Sequence, residues 1–235
     1  MAVQLDHVMD LKIFPDADAV ARAAAGFLAT EAREAIAARG RFIIAVSGGK
    51  TPWAMLRALA EEQVPWSGME IVQVDERVAP AGHPDRNLTH LQESLLERSP
   101  LRPERIHAMP VERSDLETAA AEYARTLETL AGAPPVLDVV HLGLGPDGHT
   151  ASLVPRDPVL EVTDRDVAIT GPYQGRQRMT LTYPAINRAR IILWLVTGAE
   201  KREMLQRLLA ADPSIPAGRV RQDTALALAD RAAAK

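Results

Sequence analysis

The sequence predicts an α/β fold, a mostly parallel sheet covered by helices on both faces. Three observations carry this. Short β-branched runs without alternation, such as Arg-Phe-Ile-Ile-Ala-Val at 41–46, suit strands buried on both faces. Segments with apolar residues at helical spacing alternate with these runs, the pattern of a parallel sheet. Glycine-rich or charged clusters follow residues 46, 74, 142 and 196, at the strand ends where such folds bind ligands.

Taken in order, a short strand is expected near residues 8–13. A long helix over 15–39 follows, with Pro15 and Asp16 as start signals and Gly40 as the stop. Strand 41–46 leads through Ser47-Gly48-Gly49-Lys50-Thr51-Pro52 into a helix over 53–62. Strand 69–74 meets Asp75-Glu76-Arg77, and after a polar loop at 83–87 a helix spans 88–97. A short strand at 106–109, a helix at 114–130 and a strand at 136–142 come next. That strand enters the loop Gly143-Leu144-Gly145-Pro146-Asp147-Gly148-His149-Thr150-Ala151-Ser152-Leu153-Val154-Pro155. Residues 167–170 and 178–182 are expected to pair antiparallel. Strand 190–197, helix 200–210 and a last strand at 224–228 complete the chain. No repeat, low-complexity tract or long linker interrupts it, so residues 1–235 read as one domain.

Composition narrows the function. The hydrophobic and charged fractions, 47% and 25%, are those of a soluble globular protein. A net charge of -4 gives no footprint for nucleic acid. With no cysteine there is no disulfide, thiol nucleophile or Cys-based zinc site. No pair among His7, His83, His90, His107, His141 and His149 has metal-ligand spacing, so no metal is expected. The first 14 residues lack a basic segment followed by an apolar one, and the longest apolar run, 191–196, is far too short to span a bilayer. A cytoplasmic protein without membrane partners is the expectation.

The turns carry the chemistry. Asp147 lies two residues before His149 and can orient its ring if the loop folds back. Histidine suits general-base work because its ordinary pKa lies near neutrality. The alternative is a turn whose Asp147 and Thr150 cap a helix. Gly143, Gly145 and Gly148 permit unusual backbone and a close ligand approach. Ser47, Gly48, Gly49, Lys50 and Thr51 open a helix, whose free amides bind anions such as phosphate. Ile44, where a nucleotide P-loop needs glycine, argues against an NTPase; a plain tight turn is the alternative. Arg77 is either part of an exposed ion pair or a clamp for phosphate or an oxyanion. On the second reading Asp75 and Glu76 fix it or bind sugar hydroxyls. Lys201 is either a phosphate ligand or part of a solvated helix start. His141, within a strand, reads as a core residue.

Ser47-Gly48-Gly49-x-Thr51-Pro52, Asp75-Glu76-Arg77, the loop from Gly143 to Pro155, Arg178-Met179-Thr180-Leu181-Thr182 and Gly198-x-x-Lys201 occur in the order found in 6-phosphogluconolactonases. The chain resembles that family over almost its whole length. The resemblance implies a three-layer Rossmann-like fold, shared with glucosamine-6-phosphate isomerases. It also implies cofactor-free hydrolysis of 6-phospho-D-glucono-1,5-lactone, the second step of the oxidative pentose phosphate pathway. His149 would be the general base, and Ser47–Thr51 with Arg77 and Lys201 would hold the phosphate. Two positions depart from related patterns. Arg86 stands where the family usually has serine, and is expected to meet phosphate or point to solvent. Val154 stands where the isomerases have a glutamate used in ring opening, which favours hydrolysis over isomerisation or deamination. A non-catalytic sugar-phosphate sensor is the other alternative.

Overall fold

The computed structural model describes residues 9–235. The expected first strand is found as β1 (Asp10–Phe14); Val8 and His7 lie outside the described residues. The remaining strands are β2 (Phe42–Val46), β3 (Met69–Gln73), β4 (Asp75–Arg77), β5 (Ile106–His107), β6 (Val139–Gly143), β7 (Val167–Ile169), β8 (Arg178–Leu181), β9 (Ile191–Val196) and β10 (Ala225–Asp230). The α-helices are α1 (Ala17–Arg39), α2 (Lys50–Ala60), α3 (Asn87–Ser94), α4 (Leu116–Ala131), α5 (Tyr183–Asn187), α6 (Arg202–Leu209) and α7 (Arg231–Ala234).

Seven strands form one sheet in the order β1-β10-β9-β6-β2-β3-β5, and every pairing in it is parallel. Alternation along each strand divides the core. Phe42, Ile44 and Val46 of β2 pack with α1, α2 and α3, whereas Ile43 and Ala45 pack with the opposite face. That face carries α4 to α7. The long helix α1 fits its sheet closely because the buried stripe is almost all small: Ala21, Ala24, Ala25, Ala29, Ala32 and Ala35 around Val20 and Leu28. Its ends are those expected, Asp16 capping the Ala19 amide at 2.8 Å and the Gly40 N–H returning to the Ile36 carbonyl at 2.8 Å.

Three features differ from the sequence reading. Asp75-Glu76-Arg77 is a strand and not a simple turn. Only Val74 separates it from β3, and it pairs antiparallel with β8, which pairs with β7, giving a second sheet β4-β8-β7. Helix α2 begins three residues early, at Lys50, because Pro52 is compatible with a first helical turn. No helix follows β6. The chain there closes a tight bridge, Thr150 with Leu153, and takes left-handed backbone at Ala151 (φ 50°) and Arg156 (φ 68°). Thr150 and Asp147 therefore cap nothing. Among the described residues no helix is long and apolar enough to cross a membrane.

Candidate active site

Strands β2, β3 and β5 run to one side and β6, β9, β10 and β1 to the other. The order thus reverses between β2 and β6, where open α/β sheets form a crevice. A cleft of about 430 Å³ occupies that place. Ser47, Gly48, Gly49, Lys50, Thr51, Asp75, Arg77, His149 and Lys201 all line it, and Asp147 stands directly behind His149. The four turns do converge.

The loop after β6 folds back on itself. The Gly145 N–H donates to the His149 carbonyl (2.8 Å), and the Gly148 N–H to the Gly145 carbonyl (3.1 Å). The imidazole then lies on Gly145, where a Cβ would sit 2.1 Å from Nδ1, so only glycine fits. His149 Nδ1 meets Asp147 Oδ1 at 2.5 Å. A carboxylate only accepts, so Nδ1 carries a proton and, in the neutral ring, Nε2 keeps its lone pair. Nε2 has no hydrogen-bond partner among the described residues. Burial pushes the Asp147 carboxyl up, but the His149 ring and hydrogen bonds from His149 and Tyr173 pull it below the ordinary range.

On the opposite wall, Gly49 takes φ 134°, and α2 starts without a side-chain cap, leaving its first amides open. His141 supports this turn from below. Its buried Nδ1 accepts the Ser47 N–H at 3.2 Å, and burial drives its pKa down to about 3, so it is a neutral core residue. Thr51 and Thr197 join hydroxyls at 2.7 Å, linking the turns after β2 and β9. Lys201 is half-buried; burial lowers its pKa, against the charges of Glu200 and Asp147.

The small sheet supplies the third wall. Register places Arg77 opposite Arg178, and both line the cleft and an adjoining hollow of about 350 Å³ that also meets Lys50 and Arg176. Arg178 is 4% exposed, forms no ion pair among the described residues, and leaves Nε without a partner. Burial and the charge of Arg77 weaken its hold on its proton. Two guanidinium groups side by side repel, and an anion between them relieves both. Asp75, 3% exposed, accepts from Ser152 Oγ (2.6 Å) and Asn87 Nδ2 (3.4 Å), tying the His149 loop to β4. Asn87 also receives Arg77, fixing that guanidinium toward the cleft.

The sequence matches the family described as glucosamine-6-phosphate isomerases/6-phosphogluconolactonase over residues 15–228. This chain belongs to that family. A 6-phosphogluconolactonase of Synechocystis sp. is 38% identical over 219 residues, 91% of this chain and 88% of that protein. One of Nostoc sp. is 37% identical over 204 residues, covering 85% of each. The solved structure of a 6-phosphogluconolactonase from Thermotoga maritima superposes with a TM-score of 0.85 at 26% identity, over 94% of this chain and 99% of that one. Membership of the isomerase/lactonase family accounts for the motifs, and the structure adds what they omit. Thr197 and Tyr173 belong to the site but carry no local signature, and Arg178 and Asn87 lie in motif segments that give them no role in the site. Glu76 does not line the cleft: it is fully buried, accepts the amides of Arg77, Asn87 and Leu88 at 2.8 Å each, and pairs with Arg86 at 3.1 Å. Arg86 meets neither phosphate pocket nor solvent. It is 1% exposed, held by Glu76, Glu112 and the Ala79 carbonyl.

Proposed function

We propose that this family member is a cytoplasmic 6-phosphogluconolactonase, hydrolysing 6-phospho-D-glucono-1,5-lactone to 6-phospho-D-gluconate with His149 as general base. The observation that carries the mechanism is the Asp147-held imidazole presenting an unpartnered Nε2 to a cation-lined cleft. The substrate phosphate is received by Ser47, Gly48, Gly49, Lys50 and Thr51 at the start of α2, with Lys201 and Arg77 beside them and Arg178 completing the cationic wall. Asp75 anchors the His149 loop through Ser152, and its remaining lone pairs suit a sugar hydroxyl.

Water loses a proton to Nε2 as its oxygen bonds to the lactone carbonyl carbon. The carbonyl electrons move onto oxygen, where cleft amides stabilise the charge. The intermediate then collapses, the bond from that carbon to the ring oxygen breaks, and the imidazolium returns its proton to the ring oxygen. Water is the only co-reactant. The isomerase alternative lacks its second carboxylate: Val154 stands there, 5% exposed.

Lactone made in situ by glucose-6-phosphate dehydrogenase tests the reading, with spontaneous hydrolysis subtracted. His149→Ala is expected to lower kcat by at least about 100-fold, the usual scale of general-base assistance, with KM nearly unchanged. An intact kcat with weakened binding would remove His149 from the base role. No acceleration by folded wild-type protein would reject the lactonase.

A further inference from the structure

We infer that Tyr173, at the tip of the β7–β8 hairpin, is a positioning residue that sets how strongly Asp147 acts on His149. The inference rests on the base assignment above. The tip is well defined: Tyr173 and Arg176 exchange backbone hydrogen bonds (2.9 and 3.3 Å), and Gln174 (φ 52°) and Gly175 (φ 80°) form the two-residue turn between them. Positive φ at both central positions marks the turn that matches strand twist, so the Tyr173 backbone is held in place.

From there the side chain reaches the dyad. Its hydroxyl donates to Asp147 Oδ2 at 3.1 Å, while Oδ1 takes the His149 proton. The carboxylate is thereby shared between two donors on its two oxygens. The ring stands edge-on to the imidazole, centroids 5.5 Å apart at 64°, and the Arg178 guanidinium lies 4.9 Å from its centroid. Tyr173 thus joins the proton-transfer pair to Arg178, which has no carboxylate partner among the described residues, donates from Nη2 to Gln174 Oε1 (3.1 Å) and leaves Nε free. Burial and the Asp147 charge both make the phenol harder to ionise, so it stays a donor.

The sign follows from charge. A hydrogen bond to Oδ2 draws negative charge away from Oδ1. Without it, Asp147 holds the imidazolium more tightly and His149 keeps its proton to higher pH. The other charged groups lining the cleft around the pair are the cations Lys201, from the turn before α6, and Lys50, Arg77 and Arg178, and the carboxylates Glu200, beside Lys201, and Asp75 of β4. None of these side chains is altered by the substitution. The hydroxyl therefore keeps more of the imidazole in its basic form near neutrality.

Tyr173→Phe, which keeps the ring, is the test. The acid limb of kcat/KM against pH is expected to move up by about half a pH unit, a threefold loss of activity below the midpoint, with KM unchanged. Ring 15N shifts of His149, followed against pH in the free protein, should move the same way. Tyr173→Ala should add a rise in KM, because Arg178 loses its stacking partner. An acid limb and ring titration identical to wild type in Tyr173→Phe would overturn the inference while leaving the base assignment standing. Full activity in His149→Ala would overturn both.

Discussion

Gly145 is defined by what occupies its missing side chain. A methyl there would lie 2.1 Å from His149 Nδ1 and 2.7 Å from Asp147 Oδ1. Gly145→Ala should therefore push the imidazole off its carboxylate and lower kcat by at least about tenfold, with a melting temperature close to wild type. Circular dichroism and lactonase kinetics on one preparation would check this, and unchanged kcat would mean the ring has another seat. This part of the site is legible in the sequence because Gly145, Asp147 and His149 are bound within five residues of chain. Arg178 is not. The arginines nearest to it in sequence, Arg176, Arg188 and Arg190, are each paired with a carboxylate, Asp85, Asp166 and Asp138 respectively. Only strand register, Arg77 opposite Arg178, leaves one guanidinium buried without such a partner. Tyr173 is equally silent, since its hydrogen bond spans 26 residues.

Elements are coupled through Glu76 in a way no local pattern shows. Helix α3 has no side-chain cap of its own; its first amides, Asn87 and Leu88, are received by Glu76 from β4. The same carboxylate pairs with buried Arg86. Arg86 looked exposed or ligand-binding in the sequence because its partner, ten residues earlier, is itself in a strand too short to recognise. Glu76→Gln leaves buried Arg86 with only the exposed Glu112 as a charged partner, and turns an amide donor toward backbone donors. A loss of about 3 kcal/mol is expected, seen as a lower urea midpoint at unchanged slope. A midpoint within error of wild type would mean that water replaces the carboxylate. The long strands and α1 were legible because burial on both faces and capping leave local marks. Helices α5 and α7, of five and four residues, are too short to show a periodicity.

At the scale of the molecule, the cleft lies between the two sheets: the large sheet reaches it through the turns after β2, β6 and β9, and the small sheet through Arg77 and Arg178. The sequence shows alternating strands and helices, but strand order depends on contacts far apart in the chain, so the reversal between β2 and β6 is visible only when folded. A ligand touching both sheets must stabilise their union. 6-Phosphogluconate at ten times its Kd should add about 1.4 kcal/mol, raising the melting temperature by a few degrees. Lys201→Ala should need about tenfold more ligand for the same rise, a salt-bridge's worth of affinity; an identical dose response would remove Lys201 from the phosphate site. Val154 bears on how such a scaffold diversifies. Its side chain is 5% exposed and does not line the cleft, and a carboxylate buried at that corner needs a polar partner to receive it. Ester hydrolysis and sugar ring opening, close in motif, are thus separated by an adaptive valley: the corner has to be rebuilt as a polar one before the acid that would use it can be tolerated.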